Sequence, residues 1–335
     1  MRPLSAVRGL GVALLLSVVA IVLALASGSE SVSLPRLWRI LVGAEADVYS
    51  EIVLGLRMPR ALSAFACGGL LAFAGALMQV MLRNPLADPY VLGLAGGAGS
   101  GALAAMLAGM NTLVVLGGAW AGALTSVVLV LAFGRGSFRL GRADAQADEP
   151  LRLLLTGVAL ATAWAALITL MLALAPDARL RGMLFWLMGD LDGAESFVPA
   201  SLALVVLLGL AMAIARDLNV LARGADFART LGVSVERVRV CVLLLASAAT
   251  AFAVTTAGTV GFVGLIVPNA VRLLVGNDQR LLLPVCTLAG GALLTVADTI
   301  ARSALSPLQL PVGAVIALAG VPVFIWLLTR EGARR

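Results

Sequence analysis

The chain has 335 residues, of which 61% are hydrophobic and 13% charged, with 24 basic against 18 acidic side chains and a mean hydropathy of +1.04. A water-soluble domain carries about 25% charged residues, so this composition excludes a soluble fold and fits an integral membrane protein. Histidine is absent, which excludes imidazole metal sites, Ser-His or Cys-His nucleophilic pairs and histidine proton relays.

In chain order, Arg2 and Arg8 precede an apolar run near 8–27 that imitates a secretory signal. The run is longer than the apolar core of a signal and more spans follow, so it reads as an uncleaved first helix. A span needs about 20 mostly apolar residues. Nine further candidates fall near 59–82, 91–109, 112–133, 151–175, 198–215, 240–257, 259–275, 281–301 and 312–329. Leucine, alanine and valine in long runs predict helices, not the alternation of a membrane barrel. The third span is short and rich in glycine, as suits a helix packed tightly in a bundle. The seventh and eighth are separated only by "TTAGT", residues 255–259. Cys67, Cys241 and Cys286 all lie in apolar runs and read as small packed hydrophobes.

Arginine bias sets the orientation. With ten spans, 17 of the 24 arginines lie on the side that holds both termini, which is therefore predicted to be cytoplasmic. Segments 28–58 and 176–197 fall outside, and 134–150 and 216–239 inside. None is long enough to fold as a separate domain, so residues 1–335 form one transmembrane unit that another chain must energise or feed.

Several segments stand out. Residues 216–239 are amphipathic and too polar to span. Asn219 or Asp217 could cap one short helix, Gly224 breaks it, and Asp226 could cap a second that ends at Gly232. Such a pair reads either as a surface linker or as a docking element for a groove on a partner. Outside, "LRMPRALSA" sets Arg57 and Arg60 one turn apart, and Arg302 lies four residues beyond Asp298. These arginines either anchor helix ends at the headgroups or form a basic docking patch. Buried polar candidates are Gln79, Thr156, Thr255, Thr256 and Asp298. Only Asp298 is ionisable, with Arg302 as its evident partner, so no chain of acids offers an ion path.

Residues 56–107, which include "RNPLADPY" and the glycines of "GLAGGAGSG", resemble the permeases of type II importers driven by ATP-binding-cassette ATPases. That family takes up cobalamin, ferric siderophores and haem. The likeness continues through "RLLLTGVAL" (152–160), "FWLMGDL" (185–191), "GADFARTLGVSVERVR" (224–239), "GTVGFVGLIVPNAVRLLVGNDQRLLLP" (258–284), "ADTIAR" (297–302) and "LPVGAVIALAGVPVFIWLL" (310–328). It implies an all-α subunit of ten transmembrane helices and a homodimer with the path on its two-fold axis. It also implies two cytoplasmic ATPase subunits, which hold ATP and magnesium, and a periplasmic substrate-binding protein. By that resemblance Gly224, Ala228, Leu231 and Gly232 belong to coupling helices, and Asn84 and Leu86 to a cytoplasmic gate. Arg57, Arg60 and Arg302 meet acids of the binding protein. The chain departs from the family at "DEPL", Asp148–Leu151, where small hydroxyl residues are usual, and at Asn269, where many relatives carry histidine. No cofactor or metal site is implied in this chain.

Two other classes fit less of the sequence. "GSG" at Gly99–Gly101 is the only hint of an intramembrane hydrolase, and such an enzyme lacks a base here. An ion-coupled secondary transporter would work without an ATPase.

Overall fold

A backbone in hydrocarbon must satisfy its own hydrogen bonds, which long runs of Leu, Ala and Val do by coiling into helices. The computed structural model describes residues 6–28, 30–45, 47–138, 149–192, 196–305 and 308–332, and all regular structure among them is helical. The helices are α1 (Ala6–Ala26), α2 (Leu34–Leu41), α3 (Val48–Leu82, with a π-helical stretch at Ile52–Arg57), α4 (Leu94–Leu107), α5 (Thr112–Phe138), α6 (Glu149–Ala173) and α7 (Asp177–Leu187). After these come α8 (Val198–Ala213), α9 (Ala215–Leu221), α10 (Ala225–Thr230), α11 (Val235–Ala257), α12 (Val263–Val275), α13 (Gln279–Ser303) and α14 (Val312–Gly332).

Each predicted span overlaps one of these helices, but the lengths differ and several helices run past the predicted limits. Among the described residues α1, α3, α5, α6, α11 and α13 are long and apolar enough to cross a membrane; α8 and α9, bent by 63° at their junction, make a seventh if counted as one. The shorter apolar helices are α4, α12 and the Val312–Trp326 part of α14. The boundary between the seventh and eighth predicted spans, at "TTAGT", is a sharp break. Helix α11 ends at Ala257, Gly258 has φ +66°, and Phe262 enters α12 with φ +68°. For a phenylalanine that backbone is strained, and tertiary contacts must hold it.

The molecule is organised around α3, whose most apolar stretch is 89% buried. It packs chiefly against α13 and α11. Glycines allow this closeness: a methyl at Gly290 would sit 2.5 Å from the Gly68 carbonyl oxygen, and one at Gly75 would overlap the backbone of Gly264. Helices α4 and α5 cross through Gly97 and Gly101 against Gly118 and Gly122, the close small-residue contact that membrane helices use. The expectation that the glycines of "GLAGGAGSG" admit near neighbours is met here.

Three of the motif blocks meet in space. Asp190 N–H donates to Ala257 O at 3.0 Å, Val312 N–H to Gly189 O at 3.1 Å and Gly313 N–H to Met188 O at 3.1 Å. The Thr259 hydroxyl donates to Leu187 O. "FWLMGDL", "GTVGF" and "LPVG" thus tie α7 to the ends of α11 and α14. Cys67 and Cys286 are buried as predicted, whereas Cys241 is exposed on the outer face of α11.

Candidate functional site

At one end of the bundle the chain turns between α3 and α4. Helix α3 closes on Arg83 in the left-handed region (φ 49°, ψ 35°), and Asn84 N–H donates to Gln79 O at 3.2 Å. Pro85 and Pro89 prevent the helix from continuing. Asn84 Oδ1 accepts from Leu86 N–H at 2.9 Å, and Ala87 N–H donates to Asn84 O at 3.1 Å, so the loop is internally braced. Asp88 Oδ1 accepts from Tyr90 N–H at 2.8 Å and starts a single 3-10 turn, Pro89–Leu92. The Tyr90 hydroxyl accepts from Val260 N–H at 3.0 Å, which fastens the turn to the break before α12. Leu86 is left 46% exposed at the tip. Asn269, the departure from histidine, donates from Nδ2 to Pro85 O at 2.9 Å. Asp148 lies outside the described residues, while Glu149–Leu151 open α6.

Beside this loop, α9 and α10 form the predicted pair of short helices. Their capping differs from expectation. Neither Asp217 nor Asn219 caps α9, because the chain enters it directly from α8 at the bend. Gly224 itself, at φ 133°, is the N-cap of α10, and Asp226 one turn in pairs with Arg229 at 2.9 Å. Helix α10 ends at Leu231 and Gly232, where φ is +78°. Gly224 and Ala228 are buried, so they shape the segment and let it lie flat. Leu231, 58% exposed, and Phe227 four residues earlier present its apolar outer face. Phe227 escaped the sequence reading, although its i, i+4 spacing to Leu231 is a helical-face signal.

Asn219 instead reaches sideways. Its Oδ1 accepts from Gln279 N–H at 2.8 Å and its Nδ2 donates to Asp278 Oδ1 at 2.7 Å. That amide, together with Arg280 N–H on the same carboxylate, holds Asp278 below its ordinary pKa of 3.8. A cleft of about 540 Å³ lies between the loop and these helices, lined in part by Gln79, Arg83, Pro85, Asn219, Arg223 and Arg272.

At the opposite end the three predicted docking arginines come together, but they turn inward. Arg57 is only 7% exposed and donates to Leu25 O at 2.9 Å and Glu30 O at 2.6 Å. Arg302 donates to Ala24 O. Both therefore cap the carbonyls that α1 leaves unpaired at its C-terminus. The π-helical stretch ending at Arg57 inserts an extra residue into α3 ahead of this arginine. The pairing of Asp298 also needs correction. Arg60, not Arg302, is its main partner, with Arg60 Nη2 and Nε at 2.9 and 3.1 Å from Oδ1; Arg302 Nε stands at 3.7 Å from Oδ2. Arg60 Nη1 bridges on to Asp192 at 2.9 Å and to Gln309 at 3.1 Å. Sequence spacing identified the i, i+4 neighbour and missed a contact made across 238 positions.

Comparison with known proteins places this geometry. Residues 15–330 match the model of the FecCD transport family. The cobalamin import system permease protein BtuC of Halobacterium salinarum is 41% identical over 291 residues, covering 85% of this chain and 75% of that protein. The Fe(3+) dicitrate transport system permease protein FecD of Escherichia coli is 39% identical over 303 residues, covering 89% and 92%. A solved inward-facing conformation of a metal-chelate type ABC transporter superposes with a TM-score of 0.83 at 27% identity, covering 96% of this chain and 98% of the other. With helices apolar enough for several crossings and a family match along nearly all its length, this multi-pass membrane chain belongs to the FecCD transport family.

Proposed function

We propose that the chain is the permease subunit of an importer that moves a metal chelate, of the cobalamin, ferric-siderophore or haem type, into the cytoplasm. ATP hydrolysed with magnesium on two separate ATPase subunits drives it. The observation that carries this reading is the family match over residues 15–330, joined to a bent α8–α9 pair beside a proline-bounded loop. In this reading ten helices cross the inner membrane with both termini in the cytoplasm. Two copies pack about an axis, and α6, with 6% of its most apolar stretch buried in the monomer, offers a face for the second copy. Asn84 and Leu86 gate the path on the cytoplasmic side. The segment 216–239 couples it to the ATPases: Leu231 and Phe227 enter their surface, and Gly224, Ala228 and Gly232 set its shape.

At the periplasmic end the binding protein docks over Arg57, Arg60 and Arg302. Arg60 is the member able to exchange partners, since Asp192 is 63% exposed and separates from it at small cost. Arg57 supports the patch by holding the end of α1.

The test is reconstitution of the chain with its ATPases and binding protein in liposomes, with Leu231→Glu beside the parent. A central interface residue is worth about 2 kcal/mol or more, so ATPase association should weaken about thirtyfold and ATP-driven uptake should stop while the membrane dimer persists. Unchanged coupling in this variant would remove the assigned role of the segment. Uphill uptake by the chain without any ATPase would favour an ion-coupled carrier instead.

A further inference from the structure

Pro268 lies inside α12 and has no N–H, so the carbonyl of Gly264, four residues earlier, loses its helical partner. Gln79 of α3 turns its amide toward that carbonyl and toward Leu265 O, at 3.5 and 3.4 Å. Gln79 Oε1 accepts from Arg272 Nη2 at 2.8 Å, and Arg272 Nη1 donates to Asn269 Oδ1 at 2.7 Å. Asn269 Nδ2 then donates to Leu265 O at 3.0 Å and to Pro85 O at 2.9 Å. Gln79 and Asn269 are 4% and 5% exposed. Water cannot substitute easily at such depth, so the partners fix the orientation of each amide.

The side chains of this network reach the Asn84–Asp88 loop at one backbone oxygen, that of Pro85. Across the cleft, Asn219 holds the first residues of α13, as described. Helices α12 and α13 are separated only by Gly276–Asp278, so the two asparagine joints act on the two sides of one short connection.

We propose that Asn219 and Asn269 are positioning residues that carry movement of residues 216–239 to the gate loop. Asn219 pulls on the α12–α13 connection, and Asn269 passes the displacement to the Pro85 carbonyl. The proposal rests on the reading of 216–239 as the coupling segment and of Asn84 and Leu86 as the gate. A coupling measurement tests this route directly.

The experiment uses the complete transporter, with ATPases and binding protein, in liposomes. Asn269→Asp keeps the acceptor for Arg272, which holds the new carboxylate ionised, and removes the N–H that Pro85 O requires. Two quantities are read: substrate moved per ATP hydrolysed, and the nucleotide dependence of thiol labelling at a Leu86→Cys reporter. Losing this part-buried hydrogen bond should lower the coupling ratio by about fivefold and abolish the nucleotide dependence of labelling. Asn269→His, which can still donate, should recover part of both, which a merely structural role would not produce. The Asn219→Ala, Asn269→Asp double variant should lose little more than either single one, because joints in series fail once.

A parent-like coupling ratio and labelling pattern in Asn269→Asp would overturn the proposal, as would losses in the double variant that multiply. If the parent complex itself showed no nucleotide-dependent labelling at position 86, the gate assignment would fall, and this linkage with it. A defect confined to the asparagine variants supports the linkage.

Discussion

The crossing of α4 and α5 gives the sharpest stability prediction, and Gly101→Ala is the variant that tests it. A methyl at Gly101 would lie 2.7 Å from the carbonyl carbon of Gly118 and closer still to its oxygen, whereas ordinary contact begins near 3.4 Å. The neighbour is backbone and cannot rotate away, so the helices must part by about 0.7 Å or more, a gap that forfeits a quarter to a half of each adjoining dispersion contact. The overpacking cost is about 1–3 kcal/mol. Gly117, which precedes Gly118 on α5, has nothing within 4 Å of its added methyl, so Gly117→Ala is the control. It should be neutral or gain up to about 1 kcal/mol of helix propensity. Thermal unfolding of the detergent-solubilised protein should place Gly101→Ala several degrees below the parent and Gly117→Ala at or above it. Because α4 follows the proposed gate loop after one 3-10 turn, the same variant should impair uptake if that assignment holds. The double variant Gly101→Ala, Gly118→Ala should cost less than the two singles together, since one separation relieves both clashes. Equal midpoints for Gly101→Ala and Gly117→Ala would refute the account of the crossing.

Two further predictions concern the ends of the bundle. Asp298 is 2% exposed and compensates two arginines; Asp298→Asn should destabilise by about 3–5 kcal/mol, as breaking a buried pair does, while Asp192→Asn, at an exposed carboxylate, should cost under about 1 kcal/mol, both read by thermal unfolding. The Asp278 carboxylate is held below its ordinary value of 3.8 by the Asn219 amide first and then by Arg280 N–H. Its stabilising contribution is therefore complete above about pH 4 and is lost as pH falls through the depressed native value. Asn219→Ala should narrow that acid window, raising the pH at which the α9 region loosens in hydrogen exchange; an unchanged acid limb would show that the contact does not form.

What the sequence made legible follows the physics of each signal. Apolar runs, proline punctuation and small-residue helices are local, and the helix positions, the loop at Asn84–Asp88 and the glycine crossing were all readable from them. The capping of α9 differs because Asn219, a good capping residue, is taken by Asp278 and Gln279 some sixty positions away, and that of α10 because Gly224 is the N-cap and Asp226, already inside the helix, pairs with Arg229. Arg60 and Asp298 are likewise joined only by the packing of α3 on α13. The inward turn of Arg57 depends on the π-helical stretch before it, which no periodicity announces. Span lengths were overestimated for α4 and α12, because apolar residues such as Val91 and Val260 continue past the helical ends into turns.

The contacts along α3 and α13 link the two ends of the molecule mechanically. Arg57 and Arg302 bind the end of α1 to both helices at one end, Gly68 and Gly290 lock them in the middle, and Gln79 with Arg272 joins α3 to α12 at the other. A helix of 25 residues such as α13 spans about 37 Å, more than the hydrocarbon core of about 30 Å, so its two ends can serve opposite faces of a bilayer. Close-packed backbone contacts of this kind do not deform continuously; they move as blocks. If a binding protein seats over Arg60 and an ATPase on Leu231, as proposed, these packed helices and the Asn219 joint connect the two sites. Their binding free energies must then be coupled reciprocally: if docking outside raises nucleotide affinity inside, nucleotide must tighten docking by the same factor.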